Sequence, residues 1–289
     1  MSIDYRAEPR IGFVSVCCDL CGSSEQDLLF EKEGFRHVRC RICGLVFVSP
    51  RLERHIETQQ CAGTGAMGED QLTSAQIRRL RKEVAALQPY RRLNRILDVG
   101  AGRGWFLSEA KRSGWETWAI EINSDAISHL KNKGIDQVLA QPAESFEAPD
   151  ASMDVIRVWD VIEHLESPSE AMGRIGRALR PGGSLRLATT NFASLSRWIS
   201  GPEWVYLNGA DHIFLFEPAT ISLLLREHGF VNVRIRTRSF NMRRKLYHPE
   251  QDLPPSMPAL RPFRKLIDEL MRFTRFGHQM IVTATKPNA

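Results

Sequence analysis

The stretch Ile96-Leu97-Asp98-Val99-Gly100-Ala101-Gly102-Arg103-Gly104 decides the fold. A short apolar run of strand character ends in a glycine-rich turn, and residues 105–113 continue at helical spacing. In an open α/β sheet, ligands bind beyond the carboxyl ends of the strands. Glycines there let the backbone approach closely, and the following helix turns its amides toward polar groups. The glycines read G-x-G-x-G, and the third glycine of a dinucleotide fingerprint would have to stand where Trp105 does. Asp98 would be unfavourable beside a pyrophosphate but is favourable beside an ammonium group, directly or through water.

Outward from this turn, strand-like runs at 96–99, 117–121, 155–159 and 185–189 alternate with helical patterns at 105–113, 124–133 and 169–179. Such alternation implies a parallel sheet covered on both faces. A helix at 219–228 and strands at 231–238 and 279–286 follow. The second strand ends in Glu121, 23 residues beyond Asp98, where a carboxylate can accept from both hydroxyls of a ribose.

Upstream, Cys18-Asp-Leu-Cys21 and Cys40-Arg-Ile-Cys43 are each followed by glycine. Two facing Cys-x-x-Cys turns supply the four thiolates of tetrahedral zinc, so Cys18, Cys21, Cys40 and Cys43 are expected to hold a structural Zn²⁺ in a ribbon-like module. Cys17 is a neighbouring alternative to Cys18, but only Cys18 makes the x-x spacing with Cys21. A glycine cluster at Gly63, Gly65 and Gly68 reads as linker. A helix is expected from Thr73 to Leu87, capped by Thr73 or Ser74. The expected organisation is a zinc-ribbon module over 1–60, a linker and helix over 61–93, and an α/β domain over 94–289.

The mild excess of positive charge, +5, fits an anionic partner and fits solvated surface Lys and Arg equally well. The first ten residues lack the pattern of a signal peptide, and no apolar run reaches the roughly 18 residues of a membrane span. A cytoplasmic location is the corresponding expectation.

The run 96–104, with Glu121, Gln141-Pro-Ala-Glu144, Asp154-Val-Ile and Leu179-Arg-Pro-Gly-Gly183, resembles the class I methyltransferases that use S-adenosylmethionine. The resemblance covers roughly 95–289. It implies a Rossmann-like, mostly parallel seven-stranded sheet with an antiparallel last strand. It also implies that Gly100 and Gly102 flank the methionine moiety, that Glu121 binds the ribose, that Ala143 and Glu144 sit at the adenine, and that Asp160 lies near the methionine end. The cysteine pairs with Leu45-Val-Phe-Val-Ser-Pro50 resemble zinc modules fused to many bacterial methyltransferases, some of them sugar-modifying. The longer C-terminal half of those sugar enzymes has no counterpart here.

Asp160-Val-Ile-Glu163-His164 resembles the acidic-x-x-Glu-His pattern of ubiquinone-pathway O-methyltransferases. The chain lacks the Asn/Asp-Pro-Pro-aromatic and Pro-Cys motifs of base-methylating enzymes, which argues against nucleic acid as acceptor. The basic segment 35–41 gives only thin support to an RNA- or DNA-reading ribbon. A small-molecule or glycan acceptor, methylated at oxygen, is the expectation. His164 and His212 are the candidate bases, either of which is also readable as a packed histidine. On a helix, Asp160, Glu163 and His164 would share a face, readable as a Mg²⁺ site or as a solvated acidic cluster. Trp198, Trp204 and Tyr206 precede His212 and are readable as pocket wall or as core. An apolar stripe at Phe263, Leu266, Ile267, Leu270 and Met271 within a basic run is readable as a packed helix or as a peripheral membrane contact.

Overall fold

In a computed structural model of the chain, the described residues are 12–53, 71–238 and 274–288. The glycine-rich linker, Cys61 and the stripe at 263–271 lie outside them.

The α/β core begins with α1 (Ser74–Ala85). Thr73 caps it in a full capping box: its hydroxyl accepts from Gln76 N, and the Gln76 side chain accepts from Thr73 N. There follow β6 (Arg95–Val99), α2 (Trp105–Arg112), β7 (Glu116–Ile120), α3 (Ser124–Asn132), β8 (Gln137–Leu139), β9 (Met153–Trp159), α4 (Pro168–Ala178) and β10 (Leu179–Thr190). After them come α5 (Leu195–Ser200), β11 (Phe214–Leu215), α6 (Pro218–Glu227), β12 (Val231–Arg238) and β13 (Gln279–Thr285). The N-terminal strands are β1 (Phe13–Val14), β2 (Gln26–Lys32), β3 (Phe35–Cys40), β4 (Val46–Val48) and β5 (Arg51–Leu52).

Seven strands form one sheet in the order β12-β13-β10-β9-β6-β7-β8. The pairs β10–β9, β9–β6, β6–β7 and β7–β8 are parallel. β13 runs the other way: Gly182 and Gly183 near the start of β10 bond Lys286 after its end, while Asn191 after β10 bonds His278 before its start. The antiparallel last strand is therefore as expected. The order reverses between β6 and β9, which makes the carboxyl ends of those strands the switch point where such sheets bind ligands. Apolar side chains of the middle strands are buried on both faces, among them Ile96, Leu97, Val155, Ile156, Leu185 and Leu187. Each contributes about 1.5–3 kcal/mol by leaving water. β8 is three residues long, too short for periodicity to betray it.

The described parts of Met1–His55, Thr189–Ile221 and Ile235–Ile281 form one unit, and those of Ile56–Ala188, Ser222–Arg234 and Val282–Ala289 the other. In the first unit β2, β3 and β4 make an antiparallel sheet, and β11 extends it in the order β11-β4-β3-β2. β4 is Val46-Phe47-Val48, wholly buried, and its outer edge is paired by β11. An apolar edge strand left bare would be a site for aggregation. Among the described residues no helix is long and apolar enough to cross a membrane.

Candidate active site

The turn after β6 is built by close approach. Gly100 has φ 65°, and a Cβ there would lie 2.3 Å from Val161 Cγ2. Gly102 has φ 52°, and a Cβ there would meet nothing within 4 Å. The first glycine is required by a neighbour, whereas the second leaves open space over the turn. Glu121, buried at the end of β7, holds this turn: one carboxylate oxygen accepts from Gly102 N at 2.7 Å, the other from Ile122 N and Asn123 N at 2.9 and 3.0 Å.

Asp98 is only 1% exposed. Its two oxygens lie 3.0 and 3.2 Å from Nη1 of Arg157, the residue opposite it on β9. Arg157 also donates to Glu83 at 3.0 Å, and its guanidinium lies 4.4 Å from the ring centres of both Phe106 and Trp159. Burial pushes the Asp98 carboxyl up to about 6, against the downward pull of Arg157. The Asp98 carboxylate, expected to favour an ammonium group directly or through water, is thus enclosed and paired with Arg157. Sequence reading missed Arg157, although a cation inside the apolar run Val155-Ile156-Arg157-Val158 was the available signal.

Ala143 and Glu144 are buried. The Glu144 carboxylate accepts from Glu166 N at 2.8 Å, and burial raises its pKa. Asp160 is exposed and has φ 52°. The helix expected to align Asp160, Glu163 and His164 is a single three-residue 3-10 turn, Ile162–His164. Asp160 stands outside it, so the shared helical face on which the Mg²⁺ reading rested does not form. Lys133, also absent from the sequence reading, lies 3.1 Å from the Trp105 ring centre and donates to the Arg103 carbonyl at 2.6 Å. Partial burial and nearby Arg103 and Arg112 lower it to about 8.

In the first unit the four cysteines converge. Cys18 and Cys43 sulfurs are 3.4 Å apart, as are those of Cys21 and Cys40, and all four lie within 4.8 Å of one another. Tetrahedral Zn–S bonds of about 2.3 Å require S···S distances of roughly 3.8 Å, so the set fits that geometry. Cys17 is exposed and outside the cluster, whereas Cys18 is buried within it. Burial acts to raise the Cys40 thiol, but the Cys43 and Ile42 amides outweigh it and bring the thiol down to about 7.

The same unit carries His212. Its ring stacks on Tyr206, 5.8 Å between centres and 9° between planes, and His278 stacks on Tyr206 at 6.1 Å and 14°. The Asp211 carboxylate lies 3.8 Å from His212 Nε2. Trp204 is fully buried and meets Tyr206 and Phe192 edge-on, whereas Trp198 is 76% exposed. Of the three aromatics, one is core, one is surface, and one pairs with the histidine. His164 closes the 3-10 turn Ile162–His164.

A family model described as a methyltransferase domain matches residues 72–235, more than half of the chain. The chain belongs to this methyltransferase family. A ubiquinone biosynthesis O-methyltransferase of Thiobacillus denitrificans is 24% identical over 170 residues, 55% of this chain and 73% of the relative. One of Maricaulis maris is 33% identical over 150 residues, 47% of this chain and 58% of the relative. A malonyl-[acyl-carrier protein] O-methyltransferase of Pectobacterium atrosepticum is 24% identical over 141 residues, 48% and 55% of the two chains. The matches thus span about half to three-quarters of these relatives' lengths. A crystal structure of a SAM-dependent methyltransferase from Archaeoglobus fulgidus shares the fold, with TM-score 0.51, 22% identity, and coverage of 73% of this chain and 94% of that one.

Proposed function

We propose that this chain transfers a methyl group from S-adenosylmethionine to an oxygen atom of a small-molecule acceptor. The observation that carries the reading is the G-x-G-x-G turn at the sheet's switch point, its middle glycine open and its amide held by the buried Glu121 carboxylate. The family match and the names of the relatives support the reaction class and the oxygen acceptor. S-Adenosylmethionine supplies an electrophilic methyl on sulfur. In this reading Gly100 and Gly102 flank its methionine part, Glu121 receives the ribose hydroxyls, and Ala143, Glu144 and Asp160 complete the cofactor set. Asp98, at the foot of the turn and paired with Arg157, favours the ammonium end of the cofactor directly or through water.

His212 takes the acceptor's proton, with the Asp211 carboxylate 3.8 Å from its Nε2; His164 is the other candidate. Cys18, Cys21, Cys40 and Cys43 hold one structural Zn²⁺, for which the converging sulfurs are the support. A role for Mg²⁺ at the acceptor hydroxyl would appear as chelator-sensitive turnover restored by Mg²⁺.

Calorimetry with S-adenosylmethionine, S-adenosylhomocysteine and NAD tests the donor. Binding of the first two is expected, and binding of NAD alone would overturn the assignment. Incubation with radiolabelled donor and hydroxyl- or carboxyl-bearing acceptors, glycans and RNA tests the rest. Label on RNA would overturn the small-molecule acceptor, and label on nitrogen the oxygen acceptor. Metal analysis should find near-stoichiometric zinc, lost in Cys40→Ser.

A further inference from the structure

The cysteine ribbon and the segment carrying His212 are joined in three ways. First, β4 pairs with β11: Phe214 stands opposite Phe47, Leu215 opposite Val46, and Val48 N donates to Ile213 O at 2.9 Å. Ile213 is the residue after His212. Second, Lys32 at the end of β2 donates to the carbonyls of Pro202 and Trp204 at 2.7 and 3.3 Å. Third, Arg39, the residue before Cys40, spans two elements with one guanidinium. Nη1 donates to Gly44 O in the second cysteine turn at 3.1 Å, and Nη2 to the Glu217 carboxylate at 2.7 Å. Between Pro202 and Glu217 stand Tyr206 and His212. The apolar contacts run the same way, with Val46 of the ribbon buried against Phe192, Trp204, Leu207 and Leu215.

We infer that the ribbon is the foundation of the acceptor-handling segment, and that Lys32 and Arg39 are positioning residues for Tyr206 and His212. This rests on the reading of His212 as the acceptor-side base. A ribbon serving as a separate recognition module would have no need to share a sheet with that segment, nor to satisfy its backbone carbonyls from a lysine. Arg39 ties the cysteine turn to Glu217, so a change at the cysteines is transmitted to the segment through one side chain. The ribbon's metal would then act on turnover by fixing where an imidazole stands, with no part in the chemistry.

The test uses the full-length protein with zinc bound, its Lys32→Met/Arg39→Met variant, and wild type stripped of metal by a chelator. Hydrogen exchange is read over residues 202–217 and over 96–121, with S-adenosylhomocysteine affinity measured alongside. In the variant, exchange at 202–217 should rise by about tenfold or more, as expected for a segment whose local opening becomes easier. Exchange at 96–121 and S-adenosylhomocysteine affinity should stay within about twofold. The ring-current shift that Tyr206 imposes on the His212 imidazole protons should collapse toward its free value. The conservative variant Lys32→Arg, with Arg39 intact, should keep both signals near wild type. Metal stripping should reproduce the effect. Unchanged exchange at 202–217 in the variant, or a rise spread equally over 96–121, would overturn the inference whatever the metal content. If the segment loosens while His212→Ala retains full methyl transfer, the foundation stands and the base assignment is what fails.

Discussion

The glycine-rich turn after β6 and the segment carrying His212 are held by different physics. Around Gly100–Gly104 the anchors are charges and amides: Glu121 accepts three backbone N–H groups, and the buried Asp98–Arg157 pair continues to half-buried Glu83. Around His212 the anchors are rings and a borrowed strand: His212, Tyr206 and His278 stack, Trp204 meets Tyr206 edge-on, and β11 leans on β4. A hydrogen-bonded charge network tolerates little displacement, because each partner removed strands a group in a dry interior. Stacked rings slide at small cost, since an aromatic pair adds only about 0.5–1.5 kcal/mol beyond area burial. A constant donor suits the first device, and an acceptor that differs among relatives suits the second.

The comparison breaks most visibly at His212. His212→Ala should lower turnover by about 10²–10⁴, the range for loss of a general base, while calorimetry shows donor affinity unchanged. A full-rate variant with His164→Ala inactive would move the base to the second unit. Next in size is Arg157→Met, which leaves the Asp98 carboxylate buried without its cation. Urea unfolding should report a loss of about 3–5 kcal/mol, most of it recovered in Asp98→Asn/Arg157→Met. An effect under about 1 kcal/mol, the range of an exposed pair, would mean that the turn does not depend on this charge.

How much of this was legible follows from the kind of signal each part leaves. The sheet was readable because β6, β7, β9 and β10 are apolar runs separated by helical periods, and because Gly100 and Gly102 mark one turn. The cysteine cluster was readable because ligand spacing is a local property. Thr73 was readable as a cap for the same reason. The pairing of β11 with β4 joins residues more than 160 positions apart, and a two-residue strand has no period of its own. The pairing of Asp98 with Arg157 was not legible because the partner lies on another strand, 59 residues on. The 3-10 turn at Ile162–His164 defeated the helical-face argument because a spacing of three and four residues means a shared face only once the helix is granted.

His37 gives a pH test of the first unit alone. It is buried on β3 and stacked on Phe30 at 4.6 Å. Burial lowers its pKa from 6.5 to about 4. The unfolded chain therefore binds a proton that the folded chain refuses between those values. Stability from this group is complete above about 6.5 and is lost as pH falls toward 4, by up to about 3 kcal/mol. Denaturation midpoints measured at several pH values should show His37→Phe with a flatter acid limb than wild type. Equal limbs would mean that His37 is protonated in the folded ribbon.

Glu121 is the smallest of these effects and the most discriminating, because one carboxylate serves both the turn and the proposed ribose contact. Its three N–H donors are backbone groups that stay in place when the side chain changes. Glu121→Gln keeps the shape and one carbonyl acceptor but loses the charge, whereas Glu121→Ala also strands Gly102 N. If the carboxylate matters chiefly as a ribose acceptor, both variants should lose about 1–3 kcal/mol of S-adenosylhomocysteine affinity, the range for hydrogen bonds to a charged group. S-Adenosylhomocysteine should then suffer more than adenine, which has no ribose to lose. If its work is to hold the turn, Glu121→Ala should cost affinity and stability together, while Glu121→Gln costs much less of both. Calorimetry paired with urea unfolding separates the outcomes. The equal-loss pattern would place donor recognition in the carboxylate's charge; the split pattern would place it in the shape of the turn.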